Sequence, residues 1–500
     1  MNKRIILFAL VLLCLLPAGA ELQARVIDLR DSTTTDTISA DKIIEAIKVL
    51  QDTSDVLRCD SLIISGKINI SGSGIDTVKC IIRFSDSEFS DDFTLQNTGG
   101  QVNFSSCVYF ERTIFHGNVN FSKGIFHDNA YFDDATFSHG TYFSKATFNC
   151  NAYFRGVIFK EGVRFEEAIF SGDVYYNSAV FHDNSVFIST IFSGETRFYI
   201  AEFFGDAYFR ETTFSGNVDF ENTDFYGNVS FEKGFFSGYT NFSGVVFFHE
   251  IYSTSTIDLT GAKFLESLNL KTTSFLQNCR ILLEDIEVRN IELSWLQLEE
   301  HLHFYDRNLG VIPAKRFDDI NRLRKVFIHL ENNFANLGQF EDQDACYYER
   351  MTIERRHANI GDWLLKTLLH YSCGYGVKPG RVIFTSFFVI ILFALFYYLH
   401  GAIQERKFDD PALKSKKEGV NKDERNRWAR FRDALYFSVN TFTTVGYGDW
   451  YPTAEKLKIG PGRFKITLPI RFRTLAMCEG LIGWMLLALF LITLGRVWIR

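Results

Sequence analysis

The chain has 500 residues, room for about three domains, and carries 52 Phe against 4 Met and 7 Pro with a formal net charge of -7. No domain is broadly basic, which excludes a general nucleic-acid binder, and so uneven a use of one ring points to a packing position repeated along the chain. The nine cysteines are scattered without metal-ligand spacing, although Cys59 and Cys80 could pair in an oxidising compartment.

Residues 1–20 read as a signal peptide: Asn2-Lys3-Arg4 is a positive start, Ile5 to Leu16 an apolar run short for a bilayer, and Ala18-Gly19-Ala20 a small-x-small site with cleavage expected after Ala20. Leu13 precedes Cys14 where a lipoprotein signal needs a small residue, so no lipid anchor is expected. Residues 21–81 read as an N-terminal cap region. In it Ile43, Ile44, Ile47 and Leu50 share one face of a helix predicted over Asp41 to Leu50, suited to covering the open end of a stacked structure.

From about residue 82 the chain is periodic. Phe104, Phe115, Phe126 and their successors to Phe247 recur every eleven residues, and a second series runs from Phe110 to Phe242 with Tyr176 in one place, so that steps of five and six alternate. A small or β-branched residue usually stands two before the ring, as in Ala130, Ala152, Val163 and Val218, so both point the same way along an extended strand. A helix would scatter such a pattern around its surface. With about 22 residues per coil each ring stands over the ring one coil away, roughly 4.8 Å apart. This pattern resembles the pentapeptide-repeat family, and the resemblance implies a right-handed quadrilateral β-helix, here over residues 82–290. The pattern passes Phe247 with a slip of one residue, through Phe248, Leu259, Leu270 and Ile281 and through Phe264, Phe275 and Ile286. About nine coils are expected over residues 82 to 286, or about 40 to 45 Å of rod. His116, His127 and His182 follow a ring at a corner and read as solvated residues.

Residues 291–372 read as a helical linker. Ile320, Leu323, Phe327, Leu330, Phe334 and Leu337 form an apolar seam, Gly338 ends it, and a second helix from about Glu341 to His357 is expected to fold back as a hairpin. Ile360, Trp363, Leu364, Leu368 and Tyr371 share a face of a helix suited to a membrane interface. Gly374-Tyr375-Gly376 reads as a turn into the membrane.

Residues 373–500 read as a pore domain. Val382 to Leu399 is an uncharged span closed by Tyr397 and Tyr398 at the membrane boundary, and Leu475 to Gly495 is a second. Between them Asp433 to Thr443 reads as a short pore helix, including Asn440, Thr441 and Thr443, and the segment 433–449 ends in Thr443-Thr444-Val445-Gly446-Tyr447-Gly448-Asp449. Glycines here allow successive carbonyls to face one axis, where they replace an ion's water. Thr444, Val445, Gly446, Tyr447 and Gly448 match the selectivity filter of the two-transmembrane potassium channels. That resemblance implies K⁺ held by the backbone carbonyls of Thr444, Val445, Gly446 and Tyr447, and a homotetramer in which each chain supplies a quarter of the pore. Asp449 would concentrate cations at the filter mouth and brace Tyr447. Glu479, inside the second span, needs a partner at the pore helix or cavity, and Gly480 and Gly483 read as sites of close helix packing.

Arg406, Lys407, Lys414, Lys416, Lys417, Lys456, Lys458, Arg463, Lys465, Arg471 and Arg473 lie between the spans, against Lys366, Lys378, Arg381, Arg496 and Arg500 on the other side. This bias places the inter-span loop in the cytoplasm and the β-helix outside it, in agreement with the signal. The expectation is a cell-membrane potassium channel with two spans. Its β-helical domain would sense or anchor, with an unknown ligand or protein as partner. No cofactor beyond the transported K⁺ is expected. The alternative is a membrane-anchored adhesion or scaffold protein whose rod is the working part. No paired carboxylates, activated nucleophile or phosphate loop suggests an enzyme.

Overall fold

The computed structural model describes residues 24–30, 36–95, 101–247, 255–275, 279–306, 309–405, 427–445, 450–453, 456–459 and 466–498. The predicted signal peptide lies outside these residues. The chain divides into two compact units, residues 1–326 and 327–500.

The first unit is a parallel β-solenoid of about 11 turns over residues 37–303. Each middle turn has four short strands, as in Asn103–Phe104, Val108–Tyr109, Ile114–Phe115 and Val119–Asn120, after which Ile125–Phe126 pairs with Asn103–Phe104 to begin the next. The 22-residue register holds through the middle turns, with Phe126 beside Phe148 and Phe148 beside Phe170. Rings stack in parallel along the interior, Phe132 to Phe154 at 4.9 Å and Phe165 to Phe187 at 5.0 Å. Rings across the interior meet edge-on, as Phe143 meets Phe154 at 5.7 Å, the arrangement that aromatic quadrupoles favour.

The alternation of five and six comes from two kinds of corner. In the five-residue step a tight turn follows the ring: Thr113 N donates to Phe110 O at 3.3 Å and Arg112 between them has φ +55°. The same left-handed conformation recurs at Lys123, Asp134, Lys145, Glu167 and Ser178, with Gly156 in series, although a side chain there costs about 1–2 kcal/mol. Six-residue corners are often crossed at a glycine. A Cβ on Gly216 would stand 2.4 Å from Gly194 O of the adjacent coil, so the tight stacking there needs its absence. Side-chain amides and carboxylates join adjacent coils beside these corners: Asn129 Oδ1 accepts from Asn151 N at 3.0 Å, Asn151 Oδ1 from Asp173 N at 2.9 Å, and Asp173 Oδ1 from Glu195 N at 2.8 Å.

The ladder differs from the predicted one at both ends. It begins upstream of residue 82, since Val56 pairs with both Val26 and Ile81, and Ile63 with Thr37 and Glu88. These turns bury Leu57, Ile64, Ile68 and Ile82 in place of Phe, so the Phe period does not report them. Helix α1 (Ala40–Val49) lies against the strands Thr37–Ser39 and Ile68–Asn69 and buries Ile43, Ile44 and Ile47. Past Phe247 the expected one-residue slip is instead a 28-residue turn: Phe236 pairs with Phe264 and Phe247 with Phe275. The extra residues fall in the connection that holds 248–254, and Phe248 lies outside the described residues. The final turns place Leu259, Leu268, Ile281 and Ile291 in the core. A short helix, α2 (Trp295–Leu298), is capped by Ser294 and Gln297 and buries Trp295 and Leu298. Cys59 and Cys80 are both buried and stand as free thiols; burial pushes both up, Cys80 to about 12. Of the corner histidines, His116 is 3.3 Å from Glu88, His127 is 3.0 Å from Asn149, and His182 stacks on Phe204 at 5.2 Å.

Helix α3 (Ile320–Asn336) crosses the division between the units, and Leu323, Phe327, Leu330 and Phe334 of its seam are buried. Gly338, at φ +71°, reverses the chain into α4 (Phe340–Arg356). The two form the predicted hairpin, pinned by Arg350, whose Nε donates to Glu331 Oε1 at 2.6 Å. Helix α5 (Ile360–Cys373) is tied to α4 where Lys366 Nζ donates to Glu354 Oε2 at 3.0 Å, and Ile360, Leu364, Leu368 and Tyr371 are exposed. A tight turn through Gly374, Tyr375 and Gly376 leads to α6 (Pro379–His400). The unit is completed by α7 (Arg427–Phe442) and α8 (Phe472–Trp498). Helices α6 and α8 are long and apolar enough to cross a membrane.

Candidate functional site

Helix α7 is wedged between α6 and α8, each of which also touches the other. Ala434, Phe437, Ser438 and Thr441 are its buried residues, spaced as one face of a helix. The predicted pore helix began at Asp433; the observed helix reaches back at least to Arg427 and carries Trp428 exposed on its first turn. Phe437 meets the Tyr397 ring of α6 edge-on at 5.1 Å, and Ala434, Tyr397, Ala402, Phe472 and Ala476 close the apolar packing around it.

Glu479 sits two turns into α8 and is fully buried. Tyr397 Oη donates to its Oε2 at 2.7 Å, and Ser438 Oγ bonds its Oε1. One acid therefore joins α6, α7 and α8. Tyr397 was expected at the membrane boundary beside Tyr398; instead its phenol turns inward and is wholly buried, because a buried carboxyl needs hydrogen bonds. Composition of the span conceals this, since a tyrosine near a span's end is a common interface residue. The sequence signal was Glu479, an intramembrane acid that requires a partner.

The glycines of α8 face the last turn of α7. A Cβ on Gly480 would be 3.3 Å from Thr441 O and 3.7 Å from Thr444 Cγ2, and one on Gly483 would be 2.0 Å from Phe442 O. Both glycines admit the close approach predicted for them. The last turn also holds the start of the motif: Thr444 N donates to Thr441 O at 3.2 Å and Val445 N to Asn440 O at 3.1 Å. Thr441 Oγ1 bonds Phe437 O at 2.8 Å and Thr443 Oγ1 bonds Val439 O at 2.7 Å, so neither hydroxyl is spent outside the helix. Thr444 has φ +56°, a strained conformation for a β-branched residue of the kind found at functional sites. Gly446, Tyr447, Gly448 and Asp449 lie outside the described residues. Beyond them Trp450–Pro452 pairs antiparallel with Ile403–Glu405, and Thr453 N donates to Ala402 O at 2.9 Å. Both ends of the motif are thus anchored on the two spans and α7.

Residues 382–500 match the family model described as ion channel, and residues 100–147, 136–175, 176–224 and 198–246 match the model described as pentapeptide repeats (9 copies). The chain is a pentapeptide-repeat protein fused to a two-transmembrane ion channel domain. No curated protein and no solved structure matches it. In the channel domain the family match begins at Val382, just past the first turn of α6. At that entrance Lys378 Nζ lies 4.0 Å and Arg381 Cζ 5.4 Å over the Tyr348 ring. Burial, and then the neighbouring Arg381, push the Lys378 ammonium down.

A contact with no forewarning in the sequence lies at the other end of α8. Arg496 Nε donates to Asp344 Oδ1 of α4 at 3.1 Å, and its guanidinium lies 4.2 Å over the Tyr347 ring. The end of the second channel helix is thereby held by the linker hairpin. Phe490 of α8 lines a cleft of about 230 Å³ with Val382, Phe442 and Leu486, and Leu491 is exposed.

Proposed function

We propose that four copies of the chain assemble a potassium-selective pore in the cell membrane. Each contributes Thr444, Val445, Gly446, Tyr447 and Gly448 as one strand of the filter, and K⁺ passes along the backbone carbonyls of Thr444 to Tyr447. The observation that carries this reading is that the motif starts at the carboxyl end of α7, with Val445 N on Asn440 O. There the helix's partial negative charge favours a cation. Asp449 serves as the cation-concentrating group at the mouth. The solenoid is exported by the amino-terminal signal and acts as a sensing or anchoring domain for an external ligand or protein. The basic inter-span loop then faces the cytoplasm.

Channel reconstituted in liposomes passes K⁺ far faster than Na⁺, and Gly446→Asp abolishes the flux because a ring of carboxylates fills the filter. Equal K⁺ and Na⁺ flux through intact oligomer refutes the selectivity. A protease site placed at residue 300 is cut in cells whose outer surface is accessible; protection until lysis refutes the exported solenoid.

A further inference from the structure

Helix α7 is held from behind in two ways. Hydrogen bonds hold its middle, where Glu479 meets Ser438 and Tyr397, and direct contact holds its last turn, where Gly480 and Gly483 face Thr441 O and Phe442 O. The hydrogen-bond count at Ser438 is informative. Its Oγ also lies 2.9 Å from Ile390 O of α6, a carbonyl that can only accept. One hydroxyl carries one hydrogen, so two simultaneous contacts need a second, and the carboxyl of Glu479 can supply it. Such a group donates to Ser438 and accepts from Tyr397, and every polar atom in the cluster is satisfied without a buried charge.

The effect reaches the motif through the backbone. Ser438 lies one turn before Phe442, and Thr444 and Val445 are bonded to the carbonyls of Thr441 and Asn440. A rotation or slide of α7 therefore moves the first filter residues directly. We infer that Glu479 is a positioning residue for ion selectivity, setting the seat of α7, and so of Thr444, through its paired hydrogen bonds to Ser438 and Tyr397. Its neutral, hydrogen-bonded form fills a place that an ionised carboxylate or an apolar side chain of equal size cannot. This inference rests on the proposed K⁺ selectivity.

Full-length channel in liposomes, with K⁺ and Na⁺ flux measured separately, tests it. Glu479→Gln keeps the K⁺/Na⁺ flux ratio within about twofold of the unsubstituted protein, because one of its two amide N–H groups can donate to Ser438 in place of the acid proton while its carbonyl accepts from Tyr397. Glu479→Leu, of similar volume, lowers the ratio by about tenfold while the oligomer elutes unchanged. Tyr397→Phe removes one hydroxyl and no packing, and lowers the ratio by about threefold; it also decides the matter should Glu479→Leu fail to assemble. A ratio unaltered by Glu479→Leu or by Tyr397→Phe overturns the inference, as does a Gln variant that loses as much as Leu. An unsubstituted channel with a ratio near one overturns the selectivity reading together with this one, whereas a selective channel indifferent to Leu and Phe overturns this one alone.

Discussion

In the solenoid a buried ring such as Phe154 has like neighbours on either side, Phe132 and Tyr176, each at 4.9 Å. In the channel unit Glu479 has Tyr397 and Ser438, partners that belong to different helices and occur once. The solenoid's stability is close to a sum over similar turns, so damage to one turn leaves the contacts of distant turns in place. The channel unit concentrates its specificity in a few contacts between α6, α7 and α8, and a change at one of them has no repeat to fall back on. Polar groups follow the same division. The solenoid repeats ladders such as Asn129, Asn151 and Asp173 from coil to coil, whereas around α7 the cluster at Glu479 joins three helices at a single place.

The largest expected effect breaks the channel side of this contrast. Gly483→Val puts a side chain where a Cβ alone would be 2.0 Å from the Phe442 carbonyl; α7 must move, and ion flux in liposomes is lost while the solenoid's β circular dichroism is kept. Next is Phe154→Ala in the middle of the solenoid, expected to cost about 3–5 kcal/mol and read as a lower denaturation midpoint of the full-length protein. Flux persists below that midpoint if the two regions differ as described.

Smaller effects sharpen it. Tyr176 stands in a Phe ladder, fully buried, and its hydroxyl has no hydrogen-bond partner among the described residues. Tyr176→Phe therefore stabilises by about 1–2 kcal/mol, seen as a raised midpoint; a fall would mean that the hydroxyl is satisfied in solution. The Asp344–Arg496 pair is partly buried, at 15% and 23% side-chain exposure. Double-mutant analysis with Asp344→Asn and Arg496→Gln should give a coupling of about 0.5–1 kcal/mol, with single variants altering flux alike if the clamp on α8 matters to opening.

The Phe period made most of the solenoid legible, because a ring that must stack on its neighbour appears in the sequence at the spacing of the coil. Where the core switches to Leu57, Ile64 and Ile82 the strands still pair in parallel, but Val56 pairs with Val26 on one side and Ile81 on the other, offsets of 30 and 25 residues, so no fixed period shows in the sequence. The 28-residue turn was misread as a slip because residues added in a connection shift the count without shifting the register. In the channel unit, hydropathy marked both long apolar helices, and the Thr444 to Gly448 motif was placed correctly at the carboxyl end of a helix between them. The partners of Glu479 did not show, since Tyr397 and Ser438 are 82 and 41 residues from it.

The sequence alone determined the repeat, the two apolar spans, the position of the Thr444 to Gly448 motif and the need of Glu479 for a partner, because each depends on local chemistry or a fixed period. Tertiary structure decided which hydroxyls meet Glu479, which glycine faces Phe442 O, and that Arg496 is held by Asp344. Those are contacts between helices far apart in the chain, and their choice depends on how three helices pack together, which no spacing along one of them records.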